Sequence, residues 1–422
     1  MHATLALLLA VPALFAQQEA TIRVDVQQVL VPVVVTDKKG HPVSGLRASD
    51  FQVFEDGVRQ QIASFSNDMP RHTFVICVDL LHASPADAGR IGNALENLFE
   101  KEKPGDAQYV LIGIGRQLQV LQAATANPLA IVLKVRSAAF QGAMAGLEGS
   151  ALSAQLQNVR RRMDEFCRQC ACGTRSSQGS CDSQLDTLKQ SVDAEAERWT
   201  AATNGLLEQF KDVVAELAKL PTGRTLVLVS DGFSLNPKRE FYAAVSPYLP
   251  NRPQFHLEDS KNGEPGLRDA LKIAAERNVM IYAVDSRGAG GGPVASAGAM
   301  DASAPSDSSS GTSMLGTNRS ASRRTGPVTS SIEPKANPPA LETSPSMEQL
   351  TRSTGGVYFA AGGDLLKQLR GALAEGRQYY VLAYVPKNGA RDGKFRTITV
   401  ETTDKKLSLR AKPGYWADGA AQ

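Results

Sequence analysis

Two apolar, strand-like segments each end in an aspartate, and these carboxylates are the residues best placed to do chemistry. TFVICVDLLHAS (73–84) contains Asp79, and TLVLVSDGFS (225–234) contains Asp231. Apolar, β-branched runs of this kind predict strands that are buried on both faces, as in a parallel sheet between helices. The carboxyl ends of such strands line the ligand crevice. Two carboxylates at that edge would suit a hard cation such as Mg²⁺ or Mn²⁺.

The composition is that of an ordinary globular protein. The 422 residues leave room for two or three domains, with 42% hydrophobic residues, 21% charged residues and a formal net charge of +3. No block of Lys and Arg is present, and the aromatic residues are not interleaved with basic ones. Nucleic acid is therefore not an expected partner.

The first 16 residues resemble an export signal. The apolar run LALLLAVPALFA (5–16) ends in small residues, which is typical of a signal peptide cleaved near Ala16. The alternative is a buried N-terminal helix, because no Lys or Arg precedes the run. No other segment reaches the roughly 18 unbroken apolar residues of a membrane span. The sequence thus predicts an extracytoplasmic protein, periplasmic or secreted, with no transmembrane segment in the mature chain.

Four of the five cysteines lie within the short segment CRQCACGTRSSQGSC: Cys167, Cys170, Cys172 and Cys181. In an oxidising compartment such a cluster predicts two disulfides, with three possible pairings. A four-thiolate zinc site and free thiols remain alternatives, although only one pair has the CxxC spacing that zinc favours. The fifth cysteine, Cys77, lies inside the first buried strand and is expected to be an inert core residue.

Composition divides the chain after the signal peptide (1–16). Residues 20–68 alternate like exposed β structure, with turn residues at Lys39-Gly40 and Asp56-Gly57, and predict an N-terminal β domain. Residues 71–386 alternate strand-like and helix-like segments and predict an α/β domain with a doubly wound, mostly parallel sheet. Residues 387–417 form closing β segments that are expected to pack with the N-terminal β domain.

Two segments interrupt the α/β pattern. Residues 141–197 are a polar insertion that contains the cysteine cluster, followed by a long amphipathic helix that begins near Trp199. Residues 286–345 consist largely of Gly, Ser, Ala and Pro, and this composition predicts a disordered loop.

The order of these segments resembles the von Willebrand factor A (VWA) fold, and more narrowly the VWFA-related domain family of acidobacterial proteins. The matching phrases cover most of residues 22–417: VTDKKGHPVSGLRASDFQVFEDGVRQQIASF, LPTGRTLVLVSDGFS, STGGVYF and QYYVLAYVPKNGARDGKFRTITVETTDKKLSLRAKPGYWA. The resemblance implies a Rossmann-like α/β domain and a role in binding other proteins.

The resemblance also implies a metal-ion-dependent adhesion site, which in the family uses D-x-S-x-S, a threonine and a further aspartate. Carried over, Asp79, Thr125 and Asp231 match these ligands, with Mg²⁺ or Mn²⁺ as the ion. Leu81 and Ala83 stand where the two serines belong, and neither has an oxygen to donate. Two interpretations stay open: a degenerate metal site, or structural aspartates that accept hydrogen bonds from loops.

The sequence favours a binding module over an enzyme. No G-x-S-x-G elbow, H-E-x-x-H helix or P-loop is present. His82 is expected to be a solvent-exposed loop residue, and Asp285 to cap a loop. We therefore predict an exported module that binds a protein partner or the envelope surface through the loops at the carboxyl edge of its sheet. A hydrolase with an unrecognised site and a structural component of a secreted assembly are the alternatives.

Overall fold

The computed structural model describes residues 28–67, 72–105, 107–170, 179–220, 223–249, 265–287 and 344–417. The predicted signal peptide, Cys172 and most of the 286–345 segment lie outside these ranges. The strands are β1 (Val29–Thr36), β2 (Phe51–Glu55), β3 (Val58–Gln60), β4 (Ile62–Ser66), β5 (His72–Asp79), β6 (Ala107–Ile114), β7 (Gln119–Thr125), β8 (Gly223–Ser230), β9 (Val279–Asp285), β10 (Tyr358–Phe359), β11 (Tyr380–Tyr384), β12 (Phe395–Thr402), β13 (Ser408–Ala411) and β14 (Gly414–Trp416). The helices are α1 (Ala88–Glu100), α2 (Pro128–Val135), α3 (Ala138–Ala145), α4 (Gly149–Cys170), α5 (Gly179–Ala218), α6 (Pro237–Val245), α7 (Pro265–Arg277), α8 (Ser344–Arg352) and α9 (Leu365–Arg377).

The central sheet has the strand order β10-β9-β8-β5-β6-β7. Its strands are parallel except for the edge strand β7, which runs antiparallel to β6. The chain moves outward in one direction from β5 and in the other from β8, which is doubly wound topology with a switch point between these two strands. The predicted mostly parallel α/β sheet is confirmed.

Both faces of this sheet are covered by helices, which explains the unbroken apolar runs in the sequence. Along β5, Val75 and Cys77 point into the core beneath α5 and α7, whereas Phe74 and Ile76 point into the core beneath α1 and α9. Successive side chains of a strand face opposite sides, so a strand buried on both sides must be apolar at every position. Cys77 is a buried free thiol, as expected.

The N-terminal and C-terminal β segments form two four-stranded sheets, in the orders β13-β1-β11-β4 and β14-β12-β2-β3. Their facing sides share one apolar core, so together they form a β sandwich. β11 lies within the range that the sequence assigned to the α/β domain, but it pairs with β1 and β4. Tyr380, Leu382 and Tyr384 of this strand face the sandwich core, while Val381 packs against the α/β core.

The β sandwich is docked on the amino edge of the central sheet. Arg410 Nε donates to the Gly355 carbonyl oxygen at 2.8 Å, just before β10. Lys412 Nζ donates to the carbonyl oxygen of Ala275 at 2.7 Å and to Asn278 Oδ1 at 3.0 Å, just before β9. Gly355 has a φ of +83°, and a Cβ there would lie 3.1 Å from the backbone of β13, so the contact needs a glycine. The carboxyl edge consequently faces away from the sandwich.

The insertion at 141–197 is largely helical. α5 has 40 residues and is thus about 60 Å long, whereas the adjoining strand β8 has only eight residues. α5 ends where β8 begins, at the amino edge, so its first half extends well beyond the carboxyl edge. α4 packs beside it through buried residues at alternating spacings of three and four, the pattern of two helices packed along their length: Leu152, Leu156, Val159 and Met163.

We call α4, the first half of α5 (179–203) and α6 the helical arm. Its buried side chains belong to the same core as the face of the central sheet beneath α5 and α7, so the arm is continuous with the α/β domain. Within the arm, α6 is fixed to α5 by Tyr242, whose hydroxyl donates to Asp193. Lys189 Nζ donates to the same carboxylate at 2.6 Å. Among the described residues, no helix combines the length and apolar character needed to cross a membrane.

A disulfide joins Cys170, at the end of α4, to Cys181, near the start of α5. Cys167 is also disulfide-bonded, while Cys172 lies outside the described residues. The prediction of disulfides is thereby confirmed for the Cys170–Cys181 pair. The bond closes the two helices of the arm at the end farthest from the sheet.

Replacing both Cys170 and Cys181 with Ser should destabilise the arm, because the disulfide restricts the unfolded chain. For a closed loop of this size the expected loss is about 2–3 kcal/mol of unfolding free energy. Urea unfolding followed by tryptophan fluorescence, to which Trp199 on α5 contributes, measures it. An unchanged midpoint in the double variant would show that the bond does not support the arm.

The burial of Lys412 predicts that the free energy of unfolding of the protein depends on pH. It is 3% exposed, and burial lowers its pKa to about 7, although the charge of Glu276 opposes the shift. Between pH 7 and the ordinary pKa of 10.5, the unfolded state therefore binds more protons than the folded state. The unfolding free energy should rise by about 1 kcal/mol per pH unit across this window and show no slope from this group below pH 7.

Lys412→Met is the matched control for that measurement, because it removes the titrating amine and keeps an unbranched side chain of similar length. The difference in unfolding free energy between the wild type and Lys412→Met should change between pH 7 and 10. A difference that is constant with pH would contradict the assignment.

Candidate functional site

The candidate site lies at the switch point, where ligands bind in doubly wound sheets. Asp79 ends β5 and Ser230 ends the neighbouring strand β8. Ser230 Oγ donates a hydrogen bond to Asp79 Oδ2 at 2.7 Å. The side chains therefore meet across the gap between the two strands from which the sheet is wound outward.

Asp79 is 0% exposed and is surrounded by donors. Its Oδ1 accepts the backbone N–H groups of Leu81 and His82, both at 2.9 Å. His82 Nδ1 lies 3.0 Å from Oδ2 and donates to it, since a carboxylate can only accept. Burial alone would raise the pKa of Asp79, but His82 and the Ser230 hydrogen bond outweigh it and hold the pKa below its usual value.

His82 is buried, contrary to the expectation of a solvent-exposed loop residue. It is 8% exposed, its ring packs 5.5 Å from that of Phe233, and its Nε2 lies 3.4 Å from Thr203 Oγ1 on α5. The arm supplies this cover, which local sequence does not reveal. A hydrogen-bonded chain thus runs from Asp79 through His82 to Thr203 and ties the switch point to the arm.

Leu81 and Ala83, which stand where the family has serines, are core residues. Both are fully buried, Leu81 in the core beneath α5 and Ala83 in the core beneath α1. The loop after β5 therefore contributes apolar side chains to the two faces of the sheet and none to a ligand shell.

Asp231 directly follows β8 and belongs to a second group of carboxylates. It accepts the Ser84 N–H at 3.0 Å and the Ser286 hydroxyl. Burial raises its pKa to about 7, and the charges of Asp87 and Asp285 add to the shift, while the bonds from Ser286 and Ser84 oppose it. Asp87 also hydrogen-bonds to Asp231, so these two carboxyl groups can share a proton near neutral pH.

Two arginines flank this group. Arg287 Nε donates to Asp285 at 2.9 Å, and the Tyr358 hydroxyl donates to the other oxygen of Asp285 at 2.9 Å. Arg90 donates to Asp87 and to the Ser286 carbonyl oxygen. Asp87 and Asp285 are thereby paired with arginines within the chain, and Asp285 accepts the loop groups that follow it, as expected.

Thr125 is not brought to this site. It is paired with Tyr109, near the start of β6, whereas Asp79 is paired with Ile114, at the end of β6. Five residues of β strand separate the two levels, or roughly 16 Å. Because β7 runs antiparallel, its last residue lies at the amino edge, so the assignment of Thr125 as a ligand beside Asp79 is wrong.

The side chains at the switch point do not fit a Mg²⁺ or Mn²⁺ ion. A carboxylate has about four lone-pair positions, and Asp79 already accepts four donors. Within the described ranges, no group of three or more His, Cys, Asp or Glu side chains is arranged to hold a metal. His82 and Ser230 occupy the positions beside Asp79 from which a cation would have to bind.

Ser230, Thr203 and Ser286 were not predicted from the sequence as members of this site. Ser230 was visible as the residue before Asp231 in the S-D-G turn, at a strand end where a hydroxyl can bridge to a neighbouring strand. Nothing near Thr203 in the sequence sets it apart, because its role comes from the path of α5 across the carboxyl edge.

No protein-family model matches the sequence, and no curated protein matches it. Among solved structures, an aerotolerance-related membrane protein from Bacteroides fragilis, carrying multiple mutations to serines, is 10% identical with a TM-score of 0.34. The match covers 73% of this chain and 100% of that chain. The conserved hypothetical protein BatB from Bacteroides thetaiotaomicron is 10% identical with a TM-score of 0.33, over 72% of this chain and 98% of that chain. At TM-scores this low, neither likeness carries an argument about this chain.

The geometry predicts that alanine substitution of Asp79 and of Thr125 changes the free energy of unfolding by very different amounts. Asp79→Ala should lower the unfolding free energy by about 3 kcal/mol or more, because it leaves buried donors without an acceptor. Thr125→Ala should change it by less than about 0.5 kcal/mol, because Thr125 Oγ1 accepts only the exposed Asn127 N–H.

Urea unfolding measures both values, and Asp79→Asn serves as an isosteric variant if Asp79→Ala does not fold. Equal losses for Thr125→Ala and Asp79→Ala would contradict the separation of the two residues.

Proposed function

We propose that this protein is an exported, VWA-like binding module that engages a protein partner through its carboxyl edge without a metal ion. The fold assignment rests on the strand order, with an antiparallel edge strand, and on the sequence phrases described above. The binding surface consists of the loops after β5 and β8, residues 286–287 after β9, and the base of the helical arm.

The observation that carries the proposal is the complete set of hydrogen bonds around Asp79. The loops at the switch point are held in place by Ser230 and His82, where a metal-dependent adhesion site would use an ion. A surface fixed in this way before binding loses little conformational entropy when a partner docks.

The placement of the other elements also supports the carboxyl edge as the binding surface. The β sandwich covers the amino edge, and the arm extends the carboxyl edge by several helical turns. A partner that binds there can contact both strand-end loops and helix surface, which enlarges the area available for a stable interface.

An extracytoplasmic location is part of the proposal. The Cys170–Cys181 disulfide is compatible with an oxidising compartment, as is the predicted signal peptide. These features do not depend on the binding surface and could be tested separately.

A hydrolase is the less favoured alternative. Asp79, His82 and Thr203 follow the order carboxylate, imidazole, hydroxyl that hydrolytic triads use. However, Thr203 is only 2% exposed, and its hydroxyl is buried between α5 and the loop after β5. A nucleophile must be reachable by substrate, so we assign this chain of residues to holding the arm in place.

The test places one arginine substitution at each edge of the central sheet. Ala201, on α5 two residues before Thr203, and Ala124, near the end of β7 at the amino edge, are both exposed. With the purified protein as bait for an envelope extract, Ala201→Arg should reduce capture of the partner about tenfold, and Ala124→Arg should leave it unchanged. Capture should be equal in Mg²⁺ and in a chelator.

Calorimetry with Mg²⁺ and Mn²⁺ provides the second readout, with Asp231→Ala as the control protein. No binding heat is expected in either protein. Capture that disappears in chelator, or binding heat that is lost in Asp231→Ala, would overturn the metal-independent mode. Equal capture by the two arginine variants would overturn the carboxyl edge as the binding surface.

A further inference from the structure

A second surface lies on the β sandwich, on the outer side of the sheet β14-β12-β2-β3. The inner side of this sheet faces the sandwich core, so alternate residues face outward. Phe395 of β12 and Trp416 of β14 are a cross-strand pair on the outer side, with ring centroids 4.9 Å apart in an edge-to-face arrangement. Phe395 is 42% exposed, so part of this aromatic pair faces solvent.

Cationic residues surround this aromatic pair. The segment from the end of β11 to the start of β12 contains four cations, Lys387, Arg391, Lys394 and Arg396, and a single acid, Asp392. The Lys394 side chain is 75% exposed, and Arg391 is exposed as well. Asp56, in the turn after β2, lies at the same end and is 3.7 Å from Arg396, so four cations stand against two exposed acids there. The end of the sheet therefore combines a net positive charge with an apolar surface.

The segment is held against the sheet by specific contacts. Lys387 Nζ donates to the Arg59 carbonyl oxygen at 2.8 Å. Gly393 N–H donates to the Ala417 carbonyl oxygen at 3.0 Å, beside Trp416. Arg396 donates to Asp392 at 2.9 Å, so the one acid is neutralised within the segment. Lys394 Nζ also lies 3.6 Å from Asp392 Oδ2, so two cations share this one acid. With four cations and one acid, the segment keeps a net charge of +3.

We propose that this basic-aromatic surface, formed by Arg391, Lys394, Phe395 and Trp416, docks on an anionic lipid membrane. Aromatic side chains favour the boundary between headgroups and acyl chains, and Lys and Arg beside them are attracted to anionic headgroups. Neither contribution alone gives stable binding, but the two act together. The ligand is the negatively charged phosphate of a lipid headgroup in a bilayer.

The arrangement of the sheets is compatible with membrane docking through this surface. The outer side of the sheet β14-β12-β2-β3 would lie on the membrane. The sheet β13-β1-β11-β4 and the edge strand β14 contact the α/β domain, whose carboxyl edge lies on the far side. Membrane docking would thus leave the surface proposed for protein binding accessible. The inference stands independently of that proposal, since it uses no residue of the carboxyl edge.

Sedimentation with vesicles tests the proposal. The full-length mature protein should bind vesicles of phosphatidylcholine with 30% phosphatidylglycerol and should not bind pure phosphatidylcholine. Arg391→Glu combined with Lys394→Glu should weaken the binding by at least about tenfold, because each cation near an anionic surface contributes about fivefold. Phe395→Ser should weaken it by roughly fivefold, and high salt should weaken the wild type.

The chain provides a matched control in Lys405 and Lys406, which are exposed on the turn at the opposite end of β12. Lys405→Glu combined with Lys406→Glu makes the same change in net charge on the same sandwich and should retain most of the binding. Thermal unfolding of each variant confirms that it is folded.

Three outcomes would overturn the proposal. The wild type could fail to bind anionic vesicles, or the Lys405/Lys406 variant could lose as much binding as the Arg391/Lys394 variant, which would indicate diffuse attraction. Binding to soluble polyglutamate but not to vesicles would identify an acidic polymer as the ligand in place of a membrane.

Discussion

The buried carboxylate of Asp79 is the constraint on which the carboxyl edge depends. An ionised group removed from water costs several kcal/mol unless charge and hydrogen bonds compensate for it. Here compensation comes from two loop N–H groups, Ser230 on the next strand and His82, which is itself covered by Thr203. One side chain thus fixes the loop after β5, its junction with β8 and the position of α5.

The two edges of the central sheet differ in what covers them. The amino edge is covered by the β sandwich through Arg410 and the buried Lys412, both bonded to groups that precede central strands. The carboxyl edge carries the loops and the helical arm. A protein built in this way can be held by one end and present the other, which unites the two surfaces inferred above.

The arm shows how a long insertion can be accommodated without a separate domain. Its apolar residues continue the core of the central sheet, and α5 is shared between the two. The Cys170–Cys181 bond lies at the far end, where burial is least and the helices would otherwise separate first. Packing stabilises the base of the arm and the covalent bond stabilises its tip.

The sequence by itself determined the local features: apolar runs that had to be strands buried on both sides, cysteines that would pair, and Leu81 and Ala83 with no oxygen for a metal. These follow from side-chain chemistry and periodicity within a few residues. Only the tertiary structure decided that Thr125 lies at the opposite edge, since that depends on the direction in which β7 pairs. It also decided that His82 is buried, because its partner on α5 is 121 residues away and burial depends on which distant segment covers a residue.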